Sequence, residues 1–279
     1  MKKSFLFASI IIAFICPVFY LSCAGGGTTS DAASDTGRIV LAGSKAVGKS
    51  DLKNFVLTGK RGSGSETVLK TWDEYDDLAG TVIELDCGSW TFVLEAKYLS
   101  GKSYVYNGKA ISEIKPGVDT TVSFVLRNQG FPVSEAGVTD VLLSNGYACQ
   151  SGDSISVASA VGVVISASGG GRLALMKLPG GTYLIGGSNS TYGALRVQVE
   201  EAGCRFPTMA EHPVVLSKFS ELGIVRPTSG HFASSTMSGT SGQCFFLGDP
   251  DSSAGNSGSY MGTGDAYVLE LYAVAVKDF

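Results

Sequence analysis

Histidine and paired-cysteine motifs are scarce in this chain, and their scarcity limits the chemistry that it can perform. The only histidines are His212 and His231, and neither Cys-x-x-Cys nor Gly-x-Ser-x-Gly occurs in the 279 residues. The usual ligand spacing of a zinc site and the nucleophile motif of many hydrolases are therefore both missing. We predict a protein that is not an enzyme, with no catalytic residue, no metal site and no cofactor.

Positive charge is also sparse, and this bears on the choice of partner. The net charge of −4 becomes −6 if Lys2 and Lys3 leave with an N-terminal signal, and no run of basic residues occurs. An acidic surface repels the phosphate backbone of DNA and RNA. Nucleic acid is therefore not expected as a partner.

The first 22 residues have the pattern of an export signal. Lys2 and Lys3 precede an apolar run from Phe5 to Phe19. This run is shorter than the about 20 residues that a membrane-spanning helix needs, and Pro17 interrupts it. We therefore predict a signal peptide over residues 1–22.

The next residues resemble the lipobox of bacterial lipoproteins, in the relaxed form of spirochaete-type lipoproteins. Ser22 stands directly before Cys23, and Leu21 lies two places before that cysteine where the strict pattern has three. The resemblance implies that Cys23 carries acyl chains such as palmitate, which hold the protein at the outer membrane or cell surface. The alternative is an ordinary cleaved signal with an incidental cysteine. Residues 23–36, rich in Gly, Ser, Thr and Ala, are predicted to be a flexible tether.

Residues 37–127 show the alternating runs and turn signals of an antiparallel β-sandwich. Asn107-Gly108 predicts a hairpin turn. Period-two alternation places apolar side chains on one strand face at Trp90, Phe92, Leu94 and Ala96. The segments Gly88–Phe92 and Thr121–Leu126 resemble parts of Ig-like modules of bacterial surface lipoproteins. That resemblance implies an Ig-like module used for spacing or binding.

Residues 128–279 have a different texture. Helices are expected over 192–202 and 209–222, and strands over 138–143, 160–167, 172–177 and 267–276. Pro227–Gly264 is rich in Gly, Ser and Thr, and it includes the aromatics Phe232, Phe245, Phe246 and Tyr260. Small polar residues with a few aromatics are a composition that binding surfaces use. The alternative is that these aromatics pin a long loop to the domain.

Three segments of this region resemble a bacterial C-type-lectin-like family related in fold to formylglycine-generating enzymes. They are Gly203–Thr208 followed by Glu211, His231–Thr236, and the closing Ala273–Val276. Cys204 and Phe232 stand where the family has tryptophan. The resemblance implies a smaller α+β domain that presents a ligand-binding surface, and no catalytic residue of the related enzymes has a counterpart here.

Gly43–Ser50 matches the phosphate-binding loop Gly-x4-Gly-Lys-Ser. In a true site Lys49 reaches the phosphates and Ser50 binds Mg²⁺. Such a loop must open a long helix within βαβ units, whereas Asn54–Thr58 and the following residues have strand patterns. A P-loop nucleotide-binding protein is therefore the alternative to a coincidental match, and we favour the coincidence.

The acidic and cysteine residues offer two further hypotheses. Asp73, Glu74, Asp76 and Asp77 have the oxygen ligands that calcium prefers, but their spacing is not that of an EF-hand, which favours a solvated acidic loop.

Export favours disulfides. Of the cysteines at positions 87, 149, 204 and 244, a Cys204–Cys244 bridge is one possible pair, with Cys149 an equally available partner.

Together these observations predict a mainly β protein: an Ig-like antiparallel sandwich over 37–127, then a smaller α+β C-type-lectin-like domain over 128–279. The predicted function is that of a lipid-anchored, adhesin-like cell-envelope protein whose C-terminal domain binds an extracellular glycan or protein. A purely structural envelope lipoprotein is the other alternative.

Overall fold

The alternating patterns predict a mainly β protein, and the structure confirms this class. The computed structural model describes residues 35–42, 51–153, 155–188, 190–227, 231–238, 241–246, 259–262 and 270–279, with the backbone alone described at 236–238, 241–246 and 259–262. In chain order the strands are β1 Thr36–Leu41, β2 Leu52–Arg61, β3 Thr67–Glu74, β4 Val82–Asp86, β5 Gly88–Ser100, β6 Lys102–Ile114, β7 Asp119–Val122, β8 Arg127–Pro132, β9 Val141–Leu143, β10 Tyr147–Cys149, β11 Ala160–Ser168, β12 Gly171–Met176, β13 Leu184–Ser188, β14 His231–Ser238, β15 Ser241–Phe246, β16 Ser259–Gly262 and β17 Glu270–Asp278. The α-helices among these residues are α1 Tyr192–Glu201 and α2 His212–Ser217, and neither is long and apolar enough to cross a bilayer.

Two sheets enclose the first core. One has the strand order β4-β1-β7, and the other begins β3-β2-β5-β6. Both contribute to one apolar cluster, which includes Ile39, Leu41, Leu57, Leu85, Phe92, Leu94 and Val122. The four alternating residues predicted for one strand face, Trp90, Phe92, Leu94 and Ala96, are all buried in β5. Period-two alternation therefore predicted the inner face of this strand correctly.

The strand directions and one turn differ from the prediction. β1 pairs with β7 in parallel, so this part is not purely antiparallel; strands β2 to β6 provide the long crossover that a parallel pair requires. β6 also runs straight through Asn107 and Gly108, and its hairpin with β5 turns at Gly101 instead. Gly108 serves close packing, because an added Cβ would lie 2.7 Å from the carbonyl oxygen of Val125.

A continuous sheet joins the two predicted domains. β8, which begins at the expected boundary, pairs with β6 on one side and with β10 on the other. The approach of β10 is close: Gly130 has a φ of +102°, and a Cβ there would lie 2.3 Å from Ala148 O. A separate apolar cluster fills this junction, with Tyr104 from the first region and Phe131, Ala136, Leu142, Ala148, Val164 and Ala174 from the second. The two predicted domains are therefore linked at residue 127 by strand pairing and by this cluster.

β17 is the central strand of the C-terminal region. It pairs antiparallel with β12 and β13 and parallel with β14. Because successive side chains of a strand point to opposite faces, its two faces enter two clusters. Leu271, Ala273 and Ala275 pack with α1, and Val274 and Val276 pack with α2. Both predicted helices are thus present, and the second is shorter than its sequence pattern indicates.

The described parts of the polar stretch Pro227–Gly264 form strands, although the sequence pattern predicted none there. The stretch contains β14, β15 and β16, which form an antiparallel series at the edge of β17. Gly, Ser and Thr carry little hydrophobic periodicity, so the strands are not visible in the sequence pattern. Their backbone groups pair nevertheless, because β17 offers them an open edge.

Candidate functional site

Helix α1 forms the base of the candidate site. Thr191 caps its N-terminus, with Oγ1 accepting a hydrogen bond from the Ala194 N–H at 3.2 Å. Tyr192, Leu195 and Val199 are three to four residues apart, so they form one buried stripe. Beside this stripe the helix surface is exposed and carries an i, i+4 ion pair between Arg196 Nε and Glu200 Oε1 at 2.7 Å.

The segment after α1 returns along β17. Arg205 exchanges both backbone hydrogen bonds with Val276, at 3.0 and 2.8 Å. Its guanidinium donates twice to Glu211, at 2.7 and 2.9 Å, and twice to Asp278, at 2.9 and 3.1 Å. A further bond goes to the carbonyl oxygen of Phe206. All the N–H groups of Arg205 are therefore used in tying this segment to α2 and β17.

This ionic cluster changes the acidity of its members. The hydrogen bond from Arg205, helped by the Thr208 N–H, lowers the pKa of Glu211 to about 2 even though partial burial acts in the opposite direction. The same bond, together with Asp278, raises the pKa of Arg205. Both groups are consequently charged at neutral pH, and they act as a structural clamp.

Two of the three segments that resemble the lectin-like family, Gly203–Thr208 and His231–Thr236, meet in the interior. The carbonyl oxygen of Pro207 accepts hydrogen bonds from Ser235 N at 2.9 Å and from Ser234 Oγ at 3.0 Å. Tyr192 donates its hydroxyl to Ser234 O at 2.8 Å, and the buried His212 donates from Nε2 to Ala233 O at 3.2 Å. Residues far apart in the sequence thus form one buried polar network.

A cleft of about 320 Å³ opens beside this network, and we call it the first cleft. Its floor is apolar, formed by Tyr192, Val199 and Phe206, and its rim carries Arg196, Glu200, Arg205 and Ser235. Arg205 is saturated by its carboxylates. Within the described part of the chain, the two terminal NH₂ groups of Arg196 make no hydrogen bond, so they are available to a ligand. An apolar floor with a few polar groups at the rim is the usual composition of a small-ligand site.

Several predicted features fall elsewhere in the structure. Phe232 is fully buried and packs against Phe219 and Tyr272, so it is a core residue and not an exposed contact. Phe245, Phe246 and Tyr260 lie on β15 and β16, and their side chains are outside the described residues.

The acidic residues Asp73, Glu74, Asp76 and Asp77 are exposed at the end of β3 and in the following turn. Among the described residues no group of three or more His, Cys, Asp or Glu side chains is arranged to hold a metal.

The structure describes only some of the residues on which the cysteine and P-loop hypotheses depend. Cys204 is a free thiol, as are Cys87 and Cys149, while the side chain of Cys244 is outside the described residues. The Cys204–Cys244 bridge remains a prediction that non-reducing peptide mapping can test. Cys23 and Gly43–Ser50 also lie outside the described residues. Leu52–Arg61, however, is strand β2, whereas a phosphate-binding loop must lead into a helix.

Comparison with known proteins identifies no relative: no family model, no curated protein and no solved structure matches the chain. The site must therefore be understood from its own residues. Sequence reasoning expected the helix of α1 but did not single out Arg196 or Glu200. Their i, i+4 spacing beside the buried stripe is the signal that could have marked an exposed rim.

Proposed function

We propose that this protein is a lipid-anchored, non-enzymatic binding protein of the cell envelope. Its N-terminal sandwich acts as an Ig-like spacer, and its C-terminal region presents the ligand-binding surface. The observation that carries the proposal is the first cleft, where an apolar floor lies beneath the available guanidinium of Arg196. Arg is well suited to binding carboxylates, because its planar guanidinium donates two parallel hydrogen bonds. An extracellular glycan or protein that carries acidic groups is the ligand class that fits.

The sandwich supports an Ig-like assignment in architecture. Two sheets share one apolar core, and Trp90 is buried on an inner strand. The strand order differs from that of immunoglobulin domains, since β2 and β3 are neighbours in one sheet, where consecutive B and C strands occupy opposite sheets. The likeness is therefore to the sandwich architecture and not to its topology.

The lectin-like assignment is supported by the way two of its three segments pack. Gly203–Thr208 and His231–Thr236 are joined through Pro207, Ser234 and Ser235, as parts of one domain core should be. Phe232, at the position of a family tryptophan, keeps the aromatic core role. Cys204, at the other such position, is half-buried beside the α1 cluster.

The ligand-binding part is tested on the full-length mature protein with matched arginine variants. Arg196→Ala should weaken binding to glycan or matrix-protein arrays by about tenfold, the effect of losing one charge-assisted hydrogen bond. Arg38→Ala is the control, because the Arg38 Nε–Asp119 Oδ1 pair has the same 2.7 Å length and similar exposure but lies in the sandwich. Equal losses in both variants, or binding that neither variant affects, would contradict the assignment. Absence of any ligand would favour a structural envelope lipoprotein.

The anchor is tested at Cys23. Cys23→Ser should abolish labelling by radioactive fatty acid and leave the exported protein soluble, since the acylated thiol is gone. Cys16→Ser is the control and should keep full labelling, because Cys16 belongs to the predicted signal. Labelling that persists in Cys23→Ser would remove the lipobox assignment.

A further inference from the structure

A tight turn before β9 holds a residue in a conformation that suits glycine. Gly137–Asp140 form a turn in which Asp140 N donates to Gly137 O at 3.2 Å. Thr139 occupies the third position with a φ of +76°, as in a type II turn, where glycine or asparagine is the normal residue. For a β-branched side chain this is a strained backbone conformation.

The strain is imposed by the surroundings of the turn. Asp140, which is buried, accepts a hydrogen bond from Gly137 N at 2.8 Å through its carboxylate. Thr139 N donates to Val164 O at 2.8 Å, and Val164 N donates to Asp140 O at 2.9 Å. These bonds fix the turn against β11 on both sides of Thr139. Glycine would satisfy all of them without strain, so the packing of the turn gives no reason for a threonine.

Thr139 lines a cleft of about 260 Å³, which we call the second cleft. It shares no lining residue with the first cleft. Its apolar floor is aliphatic, formed by Val141, Val163, Val164 and Leu222, and its polar groups belong to Thr139, Ser151, Lys218 and Glu221. Strained residues are concentrated at functional sites, and here the strained residue lines a cavity.

The polar groups of the second cleft define the kind of ligand that it suits. Lys218 Nζ donates to both carboxylate oxygens of Glu221 at 3.0 Å, so the pair has no net charge. In the described part of the chain, the hydroxyls of Thr139 and Ser151 make no hydrogen bond, which leaves them available. The two hydroxyls and the ammonium–carboxylate pair can each exchange hydrogen bonds with ligand hydroxyl groups.

We propose that the second cleft binds a single neutral sugar ring. The aliphatic floor matches the C–H face of such a ring, and the balanced charge disfavours an anion. The volume lies just below the range of about 300–1,000 Å³ for drug-sized ligands, so it suits one ring. The ring can come from a free monosaccharide or from the end of a glycan chain.

The experiment measures binding of glucose, galactose, mannose and N-acetylglucosamine to the mature full-length protein by ligand-observed NMR. An affinity around 1 mM for at least one of them is expected for so small a site. Oligosaccharides that end in the same sugar distinguish the two sources: equal affinity indicates recognition of a chain end, and loss of affinity indicates a free sugar. Binding of N-acetylneuraminic acid or inorganic phosphate alone would overturn the proposal, as would no binding by any of the four sugars.

Thr139→Gly separates a functional side chain from a merely tolerated one. It should raise the midpoint of thermal unfolding by a few degrees, because the strain is relieved, and weaken sugar binding about tenfold, because one hydrogen bond is lost. Asn54→Gly is the matched control: Asn54 also has a positive φ, of 53°, but it lies in β2 of the sandwich, and its replacement should leave sugar binding unchanged.

Ser151→Ala is a second test of the cleft, and it leaves the Gly137–Asp140 turn unchanged. This variant should weaken sugar binding without changing the midpoint of thermal unfolding. Unchanged affinity in both Thr139→Gly and Ser151→Ala would refute the site. Arg196→Ala should leave sugar binding at the second cleft intact, so failure of the first-cleft proposal is distinguishable from failure of this one.

Discussion

The sandwich and the C-terminal region are both β structures, yet they are held together by different interactions. In the sandwich the interior is apolar, and the ion pairs Arg38–Asp119 and Arg61–Asp86 lie on the surface with side chains about half exposed. In the C-terminal region the polar groups His212 and Ser234 are fully buried, and Arg205 and Glu211 form an ion pair that is partly buried. The first region thus depends mainly on apolar burial, and the second also depends on a specific hydrogen-bond network.

This difference matters because the two kinds of interior respond differently to change. Apolar packing is non-directional, so many hydrophobic substitutions of similar volume are tolerated. A buried polar network stabilises only while each member keeps its partner, since an orphaned buried group costs its full desolvation energy. We therefore expect the C-terminal region to be the more sensitive of the two to single polar substitutions and to pH.

The largest effect on folding is expected from removing the junction between the two regions. Residues 128–279 alone should not form a cooperatively folded unit, because they lose the β6 partner of β8, the ring of Tyr104 and its 2.7 Å hydrogen bond to Asp153. Circular dichroism and thermal unfolding of this fragment, compared with residues 35–279, provide the measurement. A fragment that unfolds at the same midpoint as the longer chain would show that the junction is dispensable, and that the predicted boundary at residue 127 separates independent domains.

An intermediate effect is expected from the ionic cluster. Arg205→Ala should lower the free energy of unfolding by about 2–3 kcal/mol, because it leaves Glu211 and Asp278 facing each other without their common partner. Arg38→Ala, which breaks an exposed pair in the sandwich, should cost less than about 1 kcal/mol. Urea titration of both variants tests the comparison. Similar costs would mean that burial does not distinguish the two regions.

The smallest expected change is the decrease in the free energy of unfolding at acidic pH. Burial lowers the pKa of His212 from about 6.5 to about 4, so the folded state favours the neutral imidazole. The contribution of neutral His212 to the free energy of unfolding is fully present above pH 6.5 and is lost as the pH falls towards 4. Glu211, with its pKa lowered to about 2, loses its contribution between about 4.5 and 2.

Unfolding free energies measured from pH 7 to pH 4 should therefore fall by something on the order of 2 kcal/mol, given the size of the His212 shift. In His212→Gln the decrease over this interval should be largely absent. If the variant retains the full pH dependence, groups other than His212 cause it, and the contrast between the two regions loses this support.

The elements that were predicted correctly, in both regions, have local folding signals. Alternation in β5 predicted which of its residues are buried, and the apolar pattern at the end of the chain predicted β17. Asn107-Gly108 misled the prediction, because a dipeptide that favours a turn also suits a close backbone contact within a strand. The β14–β16 series was missed, because backbone pairing with an edge strand needs no hydrophobic pattern.

The sequence by itself determined the mainly β class, the two helices and the apolar faces, because periodicity within a short window decides which side of an element avoids water. The tertiary structure alone decided that β8 joins the two regions, that Arg205 meets Glu211 and Asp278, and that Thr139 is held strained over a cleft. These features arise from contacts between residues distant in the chain. No local sequence pattern predicts such contacts, because the residues around each partner show nothing unusual and the partners come together only on folding.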